Sequence, residues 1–353
     1  MPKIDNLRLL LFTIPWSTLV CLRLLFITEP FSFDYSAYLL ILEDIGNLSF
    51  YELLNDNLVF PYVVTIGFTP IEFGFALLVK SISLLGFQPS VTFALIAAVS
   101  VGLRLYTMKS LGVPTLWILW LNVFAITLLE ANALRLGVAS SLLLFALRQL
   151  LWSRIVSGFI VIALALTVHL QTALFIAPFL LIYPFSNWMG RSRTFSILVL
   201  FGVVAATMIS FQLIELIENE KVQEYAERGA SGSAGLSVTS ILALIFFTVV
   251  AFLRKGNTDR FYNSDFYSLI VTACVPSLLA LLFLTNVAVI GDRAWQLAFM
   301  ILSTFFFSQW TTPSSKRISF AILIILSLVM QINILIRYPL SNFFSPIFPS
   351  ISL

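Results

Sequence analysis

Three arginines lie within or next to apolar segments, where a cation would have little contact with water. Arg23 lies inside a long apolar run, and Arg135 and Arg293 open two others. Burying a guanidinium is costly, so such residues tend to pair, line a cavity or carry function. The planar fork of arginine suits phosphate, because it offers two parallel charge-assisted hydrogen bonds and stays protonated. At one depth the three would form an anion site; alternatively, each reaches the lipid headgroups or pairs with a nearby acid such as Glu130 or Asp292.

The single histidine of the chain, His169, ends another apolar run in the stretch LTVHLQTALF. An imidazole can accept or donate a proton near neutral pH, orient a hydroxyl, or donate to a phosphate oxygen. A lone histidine can equally be structural. Its position at the same predicted depth as Arg135 favours a functional role.

An acid and two tyrosines follow the first apolar run in the stretch FDYSAY, as Asp34, Tyr35 and Tyr38. A carboxylate with tyrosines can position sugar hydroxyls, and aromatic faces stack on pyranose rings. The other interpretation is that Asp34 caps the N-terminus of a helix.

Motifs for nucleotide or metal chemistry are not visible in the sequence. It contains no glycine-rich phosphate loop, dinucleotide fingerprint, zinc spacing or Ser/His/Asp set. Cys21 and Cys274 lie inside apolar runs, where a thiol behaves as a small hydrophobe. We therefore predict no cofactor, no bound metal and no nucleic-acid partner, and a nucleotide-driven transporter is disfavoured.

The composition places these residues in a membrane protein. Hydrophobic residues make up 59% of the chain and charged residues 10%, against roughly 25% charged in an average soluble domain. We predict an all-α polytopic fold, with residues 1–353 forming a single integral membrane domain of about eleven transmembrane helices. The predicted spans are Leu9–Ile27, Pro89–Tyr106, Pro114–Leu129, Leu136–Leu150, Ile155–Leu170, Thr172–Tyr183, Phe195–Ile217, Val238–Leu253, Phe266–Leu284, Ala294–Trp310 and Ile318–Ile336.

The placement of positive charge orients these spans. Clusters of lysine and arginine recur at every second connection, which predicts a cytoplasmic N-terminus and an external C-terminus. These clusters are Lys3/Arg8, Arg104/Lys109, Arg148/Arg154, Arg191/Arg193, Arg254/Lys255/Arg260 and Lys316/Arg317. We predict localisation to a cytoplasmic membrane of the bacterial type, with the candidate site facing outward.

Two external loops follow from this scheme, at about residues 28–88 and 218–237. In the first, Ile71–Leu85 is apolar but contains Lys80, so we predict an interfacial or re-entrant helix that keeps Lys80 at the headgroups. Tyr51–Asp56 is predicted to be a second short surface helix. In the other loop, a charged segment with Arg228 precedes small residues, which suits either a flap over a lipid-borne substrate or an ordinary solvated loop.

Several segments resemble the EpsG-like branch of the Wzy-type polysaccharide polymerases. FDYSAY resembles that family's Asp-Tyr-x-x-Tyr element, and TPIEFGFALL its amphipathic helix. EANALRLGVASSLLLFAL is similar to the Asn-x-x-Arg-Gln segment, with Asn132 and Arg135 matching. HLQTALFIAPFLL resembles a His-led helix start at His169, and GDRAWQLAF a late Arg-led helix at Arg293.

The resemblance implies a fold similar to the GT-C membrane glycosyltransferases and an inverting polymerase for O-antigen, capsule or exopolysaccharide. The implied donor and acceptor are oligosaccharide repeat units on undecaprenyl diphosphate, with membrane lipids, a chain-length regulator and a flippase as further candidate partners. Arginines would stabilise the diphosphate leaving group. The implied catalytic residues are Arg135, Arg293, His169 and Asp34; His169 or Asp34 would orient or deprotonate the acceptor hydroxyl, and the sequence does not choose between the two. The implied substrate-binding residues are Arg23, Arg228, Tyr35, Tyr38, Glu72 and Asn132.

Three alternatives stay open on the sequence. A ligase that moves lipid-linked glycan to another acceptor would use the same cationic site. A metal-dependent GT-C transferase would make Asp34 central, together with Glu43 or Asp44. A flippase or exporter should carry ionisable residues deep in several spans, whereas the unusual charges here gather near one face.

Overall fold

The computed structural model describes part of the chain in two compact units; the described residues up to Leu170 belong to the first unit and those from Gln171 onward to the second. Each unit is described by itself below. The predicted single domain stays a prediction. The described residues are 13–18, 33–55, 58–59, 63–66, 69–125, 133–185, 193–216, 241, 243–248, 264–283 and 288–308.

Helices dominate both units. The first unit contains α1 (Phe33–Asn47), α2 (Phe50–Asn55), β1 (Leu58–Val59), β2 (Val63–Ile66), β3 (Thr69–Glu72), α3 (Phe73–Ser83), α4 (Pro89–Ser110), α5 (Thr115–Ala125), α6 (Leu134–Leu151) and α7 (Ile155–Val168). The second contains α8 (Ala173–Ile182), α9 (Arg193–Leu216), α10 (Ser264–Ala273), α11 (Val275–Phe283) and α12 (Ala288–Ser308). Residues 13–18 and 243–248 are also helical.

The helices coincide with predicted apolar spans wherever both are described. Within the described residues, three helices are long and apolar enough to cross a membrane. They are Pro89–Ser110, Leu134–Leu151 and Phe266–Phe283, the last running from within α10 to the end of α11 with a break at Cys274. The fold is therefore that of a helical membrane protein. The predicted span Ile318–Ile336 lies outside the described residues, so the number of crossings stays a prediction.

One element departs from the all-α prediction. Within the first predicted loop, β1, β2 and β3 form a small antiparallel sheet in that order. Val63 pairs with Glu72, and Thr65 with Pro70. The β2 sequence VVTI consists of β-branched residues, which suit a pleated strand better than a helix. The apolar composition of this loop did not indicate the two-residue alternation that is typical of a strand.

The long helices α4 and α6 run side by side in the same direction. Near their middles, the hydroxyls of Ser100 and Ser141 lie 3.0 Å apart. Further along, Nη2 of Arg148 donates to the Tyr106 hydroxyl at 3.5 Å. The offset between partners is nearly constant, at 41 and 42 residues. The N-termini of the two helices therefore share one end of the first unit.

Helix α7 returns antiparallel to α6. A Cβ on Gly158 would contact the carbonyl oxygen of Ala146 and overlap the Leu150 side chain, so the helices approach closely just after their short connection. This hairpin brings the end of α7 back to the start of α6. Arg148 and Arg154 lie at the opposite end, which matches the separation of charges that the sequence predicted.

Two of the predicted flanking cations are buried rather than solvated. Arg104 is fully buried, and its Nε donates to Oδ1 of Asn122 on α5 at 3.0 Å. Arg148 is 4% exposed, and its guanidinium lies 3.6 Å from the ring centroid of Trp152. Hydrogen bonding and cation–π contact replace water for these groups. The C-terminal halves of α4 and α6 thus each contain a basic residue that is buried.

Helix α3 confirms a short helix within Ile71–Leu85 but corrects the position of Lys80. The helix begins at Phe73, because Ile71 and Glu72 belong to β3. Its 11 residues rise only about 16 Å, roughly half of a bilayer's hydrocarbon core, which supports a segment that does not cross. Lys80 is buried at 7% exposure, and its Nζ donates to the carbonyl of Gly46 at 2.9 Å. A partner at the end of α1 therefore replaces the expected headgroups.

Candidate functional site

Glu72 enters the first unit at the junction of β3 and α3. Its backbone, with φ −64° and ψ 133°, is still extended, and its side chain makes no capping hydrogen bond to α3. Pairing with Val63 fixes where the strand ends. The carboxylate instead contacts the ends of α6 and α7.

The first partner of Glu72 is Arg135, the second residue of α6. A cation at a helix N-terminus is disfavoured by the helix dipole, so a nearby carboxylate stabilises it. Nη1 of Arg135 donates to Oε2 of Glu72 at 2.5 Å, and Nε donates to the Tyr38 hydroxyl at 3.4 Å. Among the described residues these bonds use only Nε and Nη1, so the Nη2 hydrogens are available for an anion.

The second partner of Glu72 is His169, the residue that follows α7. Nδ1 of His169 lies 2.9 Å from Oε1 of Glu72. The same oxygen accepts the backbone N–H of Leu170 at 3.3 Å. The side chains of Glu72 and His169 are 12% and 4% exposed. One buried carboxylate therefore joins three donors from two helix ends.

A close approach of α3 and α7 makes this contact possible. Gly74 lies two residues after Glu72, and Thr167 lies two residues before His169. A Cβ on Gly74 would overlap the side chain of Thr167 and lie 2.8 Å from its carbonyl carbon. Only hydrogen at this position lets the two backbones approach, so Gly74 brings the carboxylate within reach of the imidazole.

The two partners keep Glu72 ionised. Burial alone would raise the pKa of the Glu72 carboxyl, but the hydrogen bond from His169 and the charge of Arg135 outweigh burial and lower it to about 2. A carboxylate can only accept hydrogen bonds. With Glu72 ionised, Nδ1 of His169 is the donor, and a neutral imidazole then carries its lone pair on Nε2.

Tyr38 supports Arg135 from α1. Its ring is 5% exposed and packs edge-on against Phe75 at 6.2 Å and Phe93 at 6.1 Å between centroids. The Arg135 guanidinium lies 5.9 Å from the Tyr38 ring centroid. The sequence predicted that this aromatic face contacts sugar. In the structure the ring is buried, and its hydroxyl accepts a hydrogen bond from Nε of Arg135.

The side chains of several predicted site residues lie outside what the structure describes. Asp34 and Tyr35 lie in the first turn of α1, where the description covers their backbone only. Arg23, Arg228 and Asn132 lie outside the described residues. Glu130, the predicted neighbour of Arg135, lies outside them as well, and the described partner of Arg135 is Glu72.

Arg293 belongs to the second unit, on the second turn of α12. This helix packs tightly on α11, because a Cβ on Gly291 would lie 2.7 Å from the carbonyl oxygen of Ala280. Ala280 and Ala294 are both buried at this contact. Small residues allow such close helix packing in membranes. The contact fixes the backbone that carries Arg293, whose part in the site stays a prediction.

The role of Glu72 was only partly visible in the sequence. Its place in TPIE identified it as a substrate contact, but its two partners are 63 and 97 residues away in the chain. The Leu170 N–H, a backbone donor, carries no residue-type signal. Gly74, two residues after this acid, is the local sequence feature that could have indicated a close backbone approach.

The arrangement offers two chemical functions side by side. A guanidinium anchored by Glu72 and Tyr38 can donate to a phosphate oxygen. An imidazole oriented by the same carboxylate can exchange a proton with a hydroxyl. Within the described ranges, no group of three or more histidine, cysteine or acidic side chains is placed to hold a metal ion.

Fold and site together define a helical membrane protein with a buried carboxylate shared between an arginine and a histidine. The chain belongs to the EpsG family, whose model matches residues 13–347 and so covers nearly the whole sequence. That family is generally associated with polysaccharide biosynthesis. The resemblance drawn from the motifs is thereby confirmed. No curated protein and no solved structure matches the chain.

Proposed function

We propose that this protein is a glycosyltransferase that polymerises oligosaccharide repeat units carried on undecaprenyl diphosphate. The observation that carries the proposal is the Glu72 carboxylate held between Arg135 and His169. The reaction needs a cationic donor for the departing diphosphate and a group that handles the proton of the attacking hydroxyl. Family membership supplies the polysaccharide context.

In this reaction the leaving group is the part that most needs stabilisation by the protein. A sugar hydroxyl on one lipid-linked unit attacks the anomeric carbon of a glycan on another carrier, and a single displacement inverts that centre. Negative charge accumulates on the diphosphate as the bond breaks. Preorganised donors such as Arg135 stabilise that charge most in a water-poor site.

Arg135 alone is an incomplete diphosphate site. Glu72 offsets its charge, so the ion pair presents hydrogen bonds but little net positive potential. A diphosphate therefore requires further cations. Arg293, Arg228 and Arg23 are the candidates from the sequence, with Asn132 and Tyr35 as polar contacts to the substrate.

The distribution of charge favours an outward-facing site. Arg148 and Arg154 lie at the end of the α6–α7 hairpin opposite Arg135 and His169. Basic residues concentrate on the cytoplasmic side of membrane proteins. We therefore assign the site to the outer face of the bacterial cytoplasmic membrane, where undecaprenyl-linked units, a flippase and a chain-length regulator would meet the protein.

The test is the glycan chain length of the native host carrying Arg135→Ala or Arg293→Ala, with membrane expression measured by immunoblot. Lys109→Ala is the matched control, because Lys109 bonds Thr115 beyond the far end of α4. The proposal predicts collapse to single repeat units in both arginine variants and a normal ladder in the control. Removing one such donor should lower the rate on the order of 10²–10³-fold.

Other outcomes separate the alternatives. Persistent long chains in Arg135→Ala would overturn the site assignment. Loss of transfer to the final acceptor, with polymer still made on the lipid, would identify a ligase. Inhibition of the purified protein by EDTA would favour the metal-dependent transferase, and repeat units trapped on the cytoplasmic leaflet would indicate a flippase.

A further inference from the structure

We propose that Glu72 is a positioning residue that keeps the proton of His169 on Nδ1, so that Nε2 takes the proton of the acceptor hydroxyl. The inference rests on the proposed glycosyl transfer. It assigns the base role to His169 rather than Asp34, a choice that the sequence left open. Glu72 then serves both halves of the reaction, through Arg135 on the leaving-group side and through His169 on the nucleophile side.

The geometry holds the imidazole in one orientation. Oε1 of Glu72 lies 2.9 Å from Nδ1 and also accepts the N–H of Leu170, the residue directly after His169. Oε2 is bonded to Arg135. Because both oxygens are engaged, the carboxylate cannot rotate without losing a bond, and the ring opposite it is fixed. A carboxylate in this role sets which nitrogen is protonated.

The proposed step balances without a cofactor. The O–H bond of the acceptor sugar breaks, and its proton moves to Nε2, which gives an imidazolium. The oxygen forms a bond to the anomeric carbon as the bond from that carbon to the diphosphate oxygen breaks. The electron pair leaves with undecaprenyl diphosphate, and the imidazolium then releases its proton to water.

The charged groups around His169 determine the expected pH behaviour. Helices α3 and α6 pack against α7, and their described charged residues at this end are Glu72 and Arg135; the Tyr38 hydroxyl lies beyond Arg135. Lys80 and Arg148 lie at the other ends of those helices. Glu72 favours the imidazolium and Arg135 opposes it. Removing the carboxylate should therefore move proton uptake by His169 to lower pH.

The first test is NMR spectroscopy of the full-length protein labelled with ¹⁵N-histidine and purified through a tag without histidine. The chain contains one histidine, so the spectrum has one pair of ring nitrogens to assign. We expect the Nδ1–H form in the wild type. In Glu72→Gln, the amide offers one oxygen to three donors, so this form should lose population and the titration midpoint should fall. An Nε2–H form in the wild type, or an unchanged spectrum in Glu72→Gln, would overturn the proposal.

The second test is polymerisation in proteoliposomes, using lipid-linked repeat units extracted from a host that lacks this protein. Glu72→Gln should lower kcat on the order of 10²-fold and shift the acidic limb of its pH profile to lower pH. Glu52→Gln is the matched control, because Glu52 is exposed and glutamine keeps its contact with Ser49 in the capping box. That variant should behave as wild type.

The remaining variants separate the possible failures. His169→Gln should abolish the acidic limb, and Asp34→Asn should retain it. The opposite pattern would assign the base to Asp34 and overturn the inference while the polymerase function stands. If the wild type itself makes no polymer from these units, the proposed function fails, and the NMR result still decides the role of Glu72.

Discussion

Nδ1 of His169 and Oε1 of Glu72 lie 2.9 Å apart although 97 residues separate them in the chain. The carboxylate stands at the junction of a strand and a helix, and the imidazole stands just past the end of another helix. Their contact therefore reports directly on how β3, α3 and α7 are assembled. A disturbance of any of these elements should be visible in the properties of the pair.

Low pH should destabilise the folded protein, because it protonates the Glu72 carboxylate. The carboxyl has an ordinary pKa of 4.5 and a folded pKa of about 2, so it stabilises the fold above pH 4.5, and this contribution is lost as the pH falls through 2. The shift corresponds to about 3 kcal/mol at neutral pH. Glu72→Gln should unfold at lower temperature than wild type at pH 7 in detergent, and this difference should narrow below pH 4.5. A difference that is independent of pH would show that the charge of Glu72 does not contribute.

Removing the hydroxyl of Tyr38 should affect activity more than stability. Tyr38→Phe keeps the packing on Phe75 and Phe93 but removes the acceptor for Nε of Arg135. We expect up to about tenfold slower polymerisation at near-normal thermal stability, in line with about 1 kcal/mol for one hydrogen bond. Tyr38→Ala should instead destabilise the protein by about 3–5 kcal/mol through the cavity it leaves. Equal effects of the two variants on stability would contradict this division.

Replacing Gly74 by alanine should disrupt the Glu72–His169 contact, although Gly74 itself makes no contact with substrate in the proposed site. In Gly74→Ala the new Cβ collides with Thr167, so α3 and α7 must separate and the Glu72–His169 contact lengthens. We expect a loss of activity, together with the same change in the histidine NMR signal that Glu72→Gln produces. Gly202→Ala is the control, since a Cβ there meets nothing within 4 Å. Full activity in Gly74→Ala would mean that the close approach is dispensable.

The orientation can be measured with single cysteines in a variant lacking Cys21 and Cys274. Asn55 on α2 is exposed at the predicted outer side, and Ser153 is exposed between α6 and α7 at the predicted inner side. A membrane-impermeant maleimide should label Asn55→Cys in intact cells and Ser153→Cys only after permeabilisation. The reverse pattern would place the site on the cytoplasmic side, and labelling of both in intact cells would refute the predicted topology between them.

The sequence predicted those features that depend on composition and local charge. Apolar runs located α4, α6 and α7 to within a few residues, and the charge pattern placed Arg135 and His169 at one depth, where both contact Glu72. Long uniform helices and their flanking cations leave such marks because a bilayer constrains both.

Features that depend on long-range packing were not predictable in the same way. Glu72 reaches its partners through a small sheet in a loop for which no strand was predicted. Glu130, which is near Arg135 in the sequence, was therefore the natural candidate for its partner. The sequence predicted that Tyr38 contacts sugar and that Lys80 lies at the lipid headgroups. A single sequence does not reveal which face of a short helix is covered by other elements. In the structure the Tyr38 ring packs against Phe93, and Nζ of Lys80 donates to the carbonyl of Gly46.

Helix α3 is attached at both ends by opposite charges. Glu72, at its N-terminus, is bonded to Arg135 and His169, and Lys80, in its last turn, is bonded to the carbonyl of Gly46. Each residue of a helix turns the next by about 100°, so adding or removing one residue between these anchors would swing one of them away from its partner. The length of this segment is therefore restricted by the partners at its two ends, independently of the buried apolar side chains Phe75, Ala76 and Val79 between them.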